Sequence, residues 1–424
     1  MTLFFDVCFL IFLILSFPKA LKRRLRNPDY KGMLKRRFWC KKFKNNVSYP
    51  VIWLNGVSVG EVVSLSPLVK EIVKAYPGIE LTISATTGTG YKRACALYPD
   101  HNVIGYPFDL SFITKYFINK INPAIFISAE LDIWPNFVSV CKSKNIPYVV
   151  VSGRISKKSA YGYQKVKFLL GDSFRSISYF LAQDKLDAER ALKVGVREEA
   201  VQVCGNLKFD LLDLEKKELP NVLLKLEQRN KKYFIASSTH DPEEKIILNI
   251  LETIQWKESY TEWNCIIVPR HPDRASAVEK VCKHHNFDSI RYTELLKGED
   301  ANNKIIIIDK IGVLPLLYQF CDLCYIGGSL IPHGSQNMIE PAAHGIPVIM
   351  GPYLHTFREA SDFLLSKKGA LKVANSEELK KEMVELLENT KIRLNIGSNA
   401  RSIIAENRGV AARVYTILEK ILKG

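Results

Sequence analysis

The chain has 424 residues, 47% hydrophobic, 25% charged and 10% aromatic, an ordinary globular composition that excludes disorder, collagen and a polytopic membrane protein and favours two or three domains over one. Its net charge of +16 would point to nucleic acid if spread evenly. However, residues 1–50 hold 12 Lys or Arg against Asp6 and Asp29 alone, so the basicity is a local device and no nucleic-acid partner is expected.

That device begins with Leu3 to Phe17, almost wholly apolar and broken near its start by Asp6, followed by Lys19, Lys22, Arg23, Arg24 and Arg26. A helix of this length covers roughly 22 Å against a hydrocarbon core of about 30 Å, so a full span is strained. A cleaved signal peptide is disfavoured because the charge lies behind the apolar stretch instead of ahead of it. Residues 1–20 are therefore expected to be an uncleaved membrane anchor. Residues 21–48, where Lys35, Arg36, Arg37, Lys41, Lys42 and Lys44 are interleaved with Phe38, Trp39 and Phe43, read as a basic juxtamembrane segment on anionic lipid, with the body on the cytoplasmic side.

After Pro50, short β-rich runs alternate with helical periods, which predicts parallel sheets built from βαβ units. In residues 49–210 the expected strands are Val51–Leu54, Leu81–Ala85, Ala124–Ser128, Tyr148–Val151, Phe180–Ala182 and Val201–Val203, with helices at Val62–Tyr76, Leu110–Ile121 and Lys185–Val194. Charge and Pro220 make residues 211–231 the expected linker. Residues 232–424 then repeat the rhythm with strands at Phe234–Ser237, Cys265–Val268, Ile305–Ile308, Leu323–Ile326 and Val348–Met350 and helices at Glu377–Leu387 and Arg401–Leu422. The last helix is available to pack back on the first domain. The expected fold is α/β, two Rossmann-like domains facing a cleft. Nine cysteines, an odd number scattered through apolar segments, suit reduced thiols, and the lone pair Cys321 and Cys324 reads as strand packing.

Sheets of this kind bind ligands at the carboxyl ends of their strands, and the unusual residues gather there. Asn55 to Glu61 follows the first strand, with Glu61 in the first turn of a helix, where it is either a partner of the helix dipole or a working carboxylate; spacing does not decide. Thr86 to Gly90 is a hydroxyl- and glycine-rich turn suited to an anion or a sugar. Glu130 to Asn136 brings two carboxylates and Trp134 to a strand end, and Arg154 and Lys208 add cations to the same rim. In the second domain, Ser237 to His240, Pro269 to Pro272, Gly327 to Ser329 and Gly334 to Pro341 take the equivalent places.

Occurring in this order between Trp53 and Pro352, Val57–Glu61, Trp134–Asn136, Asn206–Asp210, Pro269–His271, Gly327–Ser329 and Asn337–Pro341 resemble the motifs of the Kdo (3-deoxy-D-manno-octulosonic acid) transferases of lipopolysaccharide assembly. The resemblance implies a glycosyltransferase of the B-type (GT-B) fold. Its donor substrate would be CMP-Kdo, with inversion and no cofactor, and its acceptor the lipid A precursor lipid IVA at the inner membrane. It makes Glu61 the general base and places CMP on Pro269, Arg270, Ile311, Gly312, Val313, Asn337, Met338, Ile339 and Glu340. By the same resemblance, Asn55 stands where the family usually has His, Asp132 and Val313 where it usually has Glu, and Met338 where it usually has Pro. The residue types suit the chemistry on their own account. A positioned carboxylate takes the acceptor's proton, cations such as Arg270, Lys208 and Arg154 stabilise a departing phosphate, and Glu130, Asp132 and Ser329 are further candidate substrate contacts. A monophosphate donor needs little neutralisation, so no metal is expected. The competing readings are a GT-B enzyme using a UDP-sugar on a lipid-linked acceptor, and a membrane-bound sensor without activity.

Overall fold

The structure, a computed structural model, describes residues 3–11, 13–15, 32–40, 49–212 and 217–423. The chain forms two compact units, Met1–Leu211 with Arg408–Gly424, and Leu212–Asn407. In the first, the strands β1 (Ile52–Gly56), β2 (Thr82–Ala85), β3 (Asn102–Gly105), β4 (Ile125–Ala129), β5 (Tyr148–Gly153), β6 (Tyr179–Ala182) and β7 (Val201–Val203) lie in the order β3-β2-β1-β4-β5-β6-β7. The second holds β8 (Lys232–Thr239), β9 (Trp263–Pro269), β10 (Ser289–Arg291), β11 (Ile305–Ile307), β12 (Leu323–Ile326), β13 (Val348–Met350) and β14 (Ala370–Lys372), ordered β10-β11-β9-β8-β12-β13-β14. All neighbouring strands are parallel. β1, β4, β9 and β12 are buried along their whole length. Helices cover both faces of such a sheet, so the strands read as continuous apolar runs without alternation.

The order reverses between β1 and β4 in one sheet and between β8 and β12 in the other. At such a switch point the two following connections leave in opposite directions and open a crevice at the carboxyl ends. Asn55 to Glu61 and Glu130 to Asn136 are the loops at the first switch point, and Ser237 to His240 and Gly327 to Ser329 those at the second.

Several expectations are corrected. β3, β10 and β14 were not expected; they are short, partly exposed strands at the sheet edges, where Asn102, Ser289, Arg291 and Lys372 interrupt the apolar run. The helix expected over Val62–Tyr76 is two, Val59–Ser64 and Ser66–Ala75, because Pro67 starts a new first turn. In the stretch read as a linker, Asn221–Glu227 is a helix that buries Leu223 and Leu226 in the core beside β8. The helix expected over Arg401–Leu422 is also divided, into Thr390–Asn407 and Val410–Lys423, with Gly409 at φ 75° between them. Asp210 caps the second piece, accepting from Gly409 N at 2.7 Å and Ala411 N at 2.6 Å, and buries Val410 and Val414 against the first unit's core.

The N-terminus also differs from expectation. Residues 3–11 and 13–15 are helical, but no helix among the described residues is long and apolar enough to cross a membrane. Phe9 is buried against Phe108 and Trp134, so one face of the expected anchor belongs to the first unit. Much of the basic run, at 16–31 and 41–48, lies outside the described residues. Within the described helix Met33–Phe38, Arg37 donates from Nε to the Tyr106 carbonyl at 2.9 Å and lies 4.0 Å from the centre of the Phe108 ring. Burial lowers its pKa to about 10. Arg36 sits 4.5 Å over Tyr91. A guanidinium stacks on an aromatic face where an ammonium would stay hydrated, which turns these two residues inward instead of toward lipid.

Candidate active site

At the first switch point the chain turns tightly from β1 into the helix Val59–Ser64. A Cβ on Gly56 would lie 2.8 Å from Val62 N and 3.0 Å from the Glu61 carbonyl carbon, so only glycine lets the helix sit this close to the strand end. Ser58 is the N-cap, and its Oγ accepts from Glu61 N at 3.5 Å. The Glu61 carboxylate reaches back to take the Ser58 hydroxyl at 2.9 Å and the Val57 N–H at 2.9 Å. Thr87, on the turn after β2, braces the same loop, donating from both N and Oγ1 to the Val57 carbonyl at 3.1 Å. The Thr86 to Gly90 turn thus supports the Glu61 loop.

Glu61 is therefore a capping carboxylate, but its electrostatics go further. Burial raises its pKa to about 7; the Val57 N–H opposes the rise, Glu130 adds to it, Ser58 opposes and Asp132 adds. A carboxyl group held near neutrality by desolvation and like charges is suited to taking a proton at physiological pH.

Around it runs a buried polar chain. Trp53 Nε1 donates to Ser84 Oγ at 2.8 Å, Ser84 Oγ to Asn55 Oδ1 at 2.7 Å, Asn55 Nδ2 to Asp132 Oδ2 at 3.1 Å, and Trp134 Nε1 to Asp132 Oδ1 at 2.7 Å. Burial raises the Asp132 pKa to about 6, against the bonds from Trp134 and Asn55 and the charge of Arg37. Asp132 thereby joins β1 to the loop after β4. Glu130 has a left-handed backbone at φ 56°, a strained choice for a residue with a side chain, and pairs with Lys208 at 2.9 Å. Lys208 is thus already neutralised by a protein carboxylate. Arg154 stands apart from this group, half-buried near Asp187, and opposes the rise in that residue's pKa.

At the second switch point a Cβ on Gly327 would fall 2.3 Å from the Ser238 carbonyl, so the glycine lets the loops after β8 and β12 touch. The fully buried Glu243 ties them together. It accepts from Tyr325 OH at 2.7 Å, Gly328 N at 2.7 Å, His240 N at 3.0 Å, and Ser329 N and Leu330 N at 3.2 Å. His240 stacks on His333 with ring centres 4.5 Å apart and lies 6.2 Å from His271. Burial lowers its pKa, as do His333 and His271. Arg270 leaves the end of β9 with an exposed side chain, its N–H held by the Thr239 carbonyl at 2.9 Å. Asn337 Oδ1 caps Ile339 N at 3.0 Å, and Asn337 Nδ2 donates to Glu340 Oε1 at 2.9 Å. Burial raises the Glu340 pKa while Asn337 and Lys217 lower it.

Not every expected contact offers its side chain. Ser329 is fully buried, its hydroxyl donating to the Ile326 carbonyl and accepting from Gly351 N at 2.8 Å. Met338 and Ile339 are buried at 0% and 3% exposure, and Pro269 ends the buried strand β9. These positions shape backbone. Val313 packs with Ile308 and Leu317 in a core cluster, which accounts for an apolar residue there, while Ile311 beside it is 85% exposed and Gly312 has φ 89°. Sequence reasoning named the loops of His240 and His271 without placing these side chains together, and it missed both His333 and Glu243, whose acidic pair with Glu244 reads as an ordinary first helical turn.

Residues 32–211 match the family model described as 3-deoxy-D-manno-octulosonic-acid transferase (kdotransferase). A 3-deoxy-D-manno-octulosonic acid transferase of Haemophilus influenzae is 34% identical over 97% of this chain and 96% of its own, and one of Chlamydophila psittaci is 30% identical over 85% and 83%. Among solved structures, the UDP-GlcNAc 2-epimerase of Neisseria meningitidis shares the fold alone, with a TM-score of 0.58 and 15% identity over 87% of this chain and 99% of that one. Similarity across almost the whole length of both proteins is decisive, and the chain belongs to the Kdo transferase family of glycosyltransferases that serve lipopolysaccharide biosynthesis.

Proposed function

We propose that the enzyme transfers Kdo from CMP-Kdo to lipid IVA, the lipid A precursor, with inversion, without a metal, and with Glu61 as general base. The observation that carries this reading is the desolvated Glu61, raised to about 7 at a switch point beside Glu130 and Asp132. The acceptor hydroxyl gives its proton to the Glu61 carboxylate as its oxygen bonds to the anomeric carbon of Kdo. The carbon–oxygen bond to CMP breaks, and the pair leaves on the phosphate. A single displacement of this kind inverts the centre. Arg270, exposed at the end of β9, suits the phosphate or the sugar carboxylate as a charge-assisted partner, and Asn337 and Glu340 suit the nucleoside. A monophosphate leaving group carries less charge than a pyrophosphate, which favours transfer without a metal.

The proposed location is the cytoplasmic face of the inner membrane. Leu3, Phe4, Val7, Leu10, Ile11, Ile14 and Leu15 are all exposed and recur at helical spacing, a stripe suited to lying in the lipid interface, and Lys19, Lys22, Arg23, Arg24 and Arg26, which follow it in sequence, are of the charge that anionic head groups attract. Incubation of the purified protein with CMP-Kdo and lipid IVA, followed by mass spectrometry, tests the reading. The expected product is lipid IVA heavier by Kdo, with free CMP. Failure to form it, or inhibition by UDP but not CMP, overturns the assignment in favour of a different donor.

A further inference from the structure

Asp6 interrupts an apolar run that faces lipid in the proposed function, where a carboxylate is costly, and the structure shows what holds it. Asp6 Oδ1 accepts from Ser111 N at 2.7 Å and from Asn136 Nδ2 at 3.0 Å, and Oδ2 accepts from Ser111 Oγ at 2.6 Å. The carboxylate thus caps the helix Ser111–Ile121, which has no cap of its own, and grips the end of the Glu130 to Asn136 loop. Three residues on, Phe9 lies edge-on to Trp134 with ring centres 5.8 Å apart. Leu13 packs on the same core. Asp6, Phe9 and Leu13 follow one another at spacings of three and four, so a single helical face is keyed into the protein while the opposite face carries the exposed apolar stripe.

The keyed face leads directly to the carboxylates. Trp134 bonds Asp132, Asp132 bonds Asn55, and Asp132 and Glu130 both raise the Glu61 pKa. Asn136 is fully buried, and its Nδ2 is shared between Asp6 and the Asp109 carbonyl at 2.7 Å. Asp109 in turn accepts from the backbone N–H groups of Asn136 at 3.1 Å and Phe137 at 2.8 Å. Burial raises the Asp109 pKa to about 7, with those two bonds opposing and Asp6 adding to the rise.

We infer that Asp6 is a positioning residue for the acceptor side of the reaction: it locks the N-terminal helix to the Glu130 to Asn136 loop, and that lock maintains the environment in which Glu61 works. The helix is therefore part of the machinery that prepares the base as well as a means of attachment, and its release from the first unit slows transfer even when the acceptor is presented in detergent. The inference rests on Glu61 being the base.

The test uses the full chain with Asp6→Ala and Asp6→Asn. The amide is a fair rescue, because its Oδ1 keeps Ser111 N and Asn136 Nδ2 while its Nδ2 donates to Ser111 Oγ, which can accept. Two readouts are taken, backbone hydrogen exchange over residues 130–137 without substrate, and kinetics with CMP-Kdo and detergent-dispersed lipid IVA. Asp6→Ala is expected to speed exchange there and to lower kcat by roughly ten- to a hundredfold. It should leave the KM for CMP-Kdo unchanged and move the acid limb of the pH–rate profile down as Glu61 hydrates, whereas Asp6→Asn stays near wild type. Phe9→Ala, which keeps the cap and removes only the ring against Trp134, gives the same pattern in smaller degree should Asp6→Ala fail to fold. Wild-type kcat and pH profile in Asp6→Ala, or loss in Asp6→Asn equal to that in Asp6→Ala, overturns the inference. Faster exchange in Asp6→Ala beside a wild type that transfers no Kdo supports the lock and overturns only the proposed function.

Discussion

Asn55 donates to Asp132 at 3.1 Å across the switch point of the first sheet, and these are two of the positions at which the resemblance drawn from the sequence motifs implies other residues. By that resemblance His and Glu are the usual pair there, so a shorter amide would meet a shorter carboxylate, and the pair would remain matched. Asn55 is fully buried, with Oδ1 accepting from Ser84. Its orientation is therefore fixed, since only Nδ2 can face a carboxylate.

A double-mutant cycle checks that match. Asn55→His and Asp132→Glu are each expected to lower stability and turnover, because each oversizes one side of a packed contact. The double substitution should recover part of both losses. The coupling energy expected for residues in one hydrogen-bond network is about 0.5–3 kcal/mol, read from denaturant melts and from kcat. Strictly additive losses would show that the two departures are unrelated.

Glu61 provides a prediction whose sign is fixed by its raised pKa of about 7, against an ordinary value of 4.5. The folded state keeps the proton up to pH 7 while the unfolded chain releases it near 4.5. Stability due to this group is therefore full at low pH and is lost as pH rises through that window, constant above it. Glu61→Gln has no proton to lose, so its melting temperature relative to wild type should be higher at pH 8 than at pH 4. Turnover runs the opposite way. If Glu61 is the base, as proposed, it must be ionised to act, so kcat/KM should rise through pH 7 in wild type, and Glu61→Gln should lose the rise along with roughly 10² to 10⁴ in rate. A variant within about tenfold of wild type would move the base to another carboxylate.

The sheets were legible in the sequence because buried parallel strands are continuous apolar runs. Ile52 to Leu54, Ile125 to Ile127 and Leu323 to Ile326 are each fully buried, and each stands out between charged helices. The loops of the site were legible for a related reason, since Gly, Asn and charged residues directly after such runs mark carboxyl ends. Contacts made by single side chains over long separations were not legible. Asp6 finds its partners 105 and 130 residues away, and Glu243 meets Gly328 across 85. No local pattern distinguishes these carboxylates from solvent-facing ones. Burial was equally hidden at Ser329 and Met338, polar or flexible residues in glycine-rich segments that read as contacts and whose side chains are packed into the protein.

Arg270 separates binding from folding. Its side chain is exposed, and the bond that fixes the residue is made by its backbone N–H to Thr239. Arg270→Ala is therefore expected to leave the melting temperature unchanged. It should remove a charge-assisted contact to the donor worth about 1.5 to 3 kcal/mol, or roughly ten- to a hundredfold in CMP affinity by calorimetry. Arg270→Lys should restore part of it, since an ammonium keeps the charge and loses the two-pronged geometry. Unaltered CMP affinity in the alanine variant would remove Arg270 from the nucleotide site.

Glu243 gives the opposite pattern, in which folding and donor binding fail together. Its two oxygens take five donors, of which the N–H groups of Gly328, Ser329 and Leu330 belong to the loop after β12 and that of His240 to the loop after β8. In Glu243→Gln one oxygen becomes an NH₂ group. Oε1 holds Tyr325, Ser329 and Leu330 and Oε2 holds Gly328 and His240, so either orientation of the amide sets its hydrogens against at least two backbone N–H groups. A buried donor left facing a donor costs about 1–3 kcal/mol, and the loops must shift to relieve it. Glu243→Gln should accordingly lower the unfolding midpoint and raise the KM for CMP-Kdo several-fold, with a smaller change in kcat because Glu61 lies in the other unit. Full-length protein followed by urea denaturation and steady-state kinetics distinguishes the outcomes. A lowered midpoint with an unchanged donor KM would mean that the Gly327 to Ser329 loop does not touch the nucleotide sugar, and the donor-binding surface would then rest on Arg270, Asn337 and Glu340 alone.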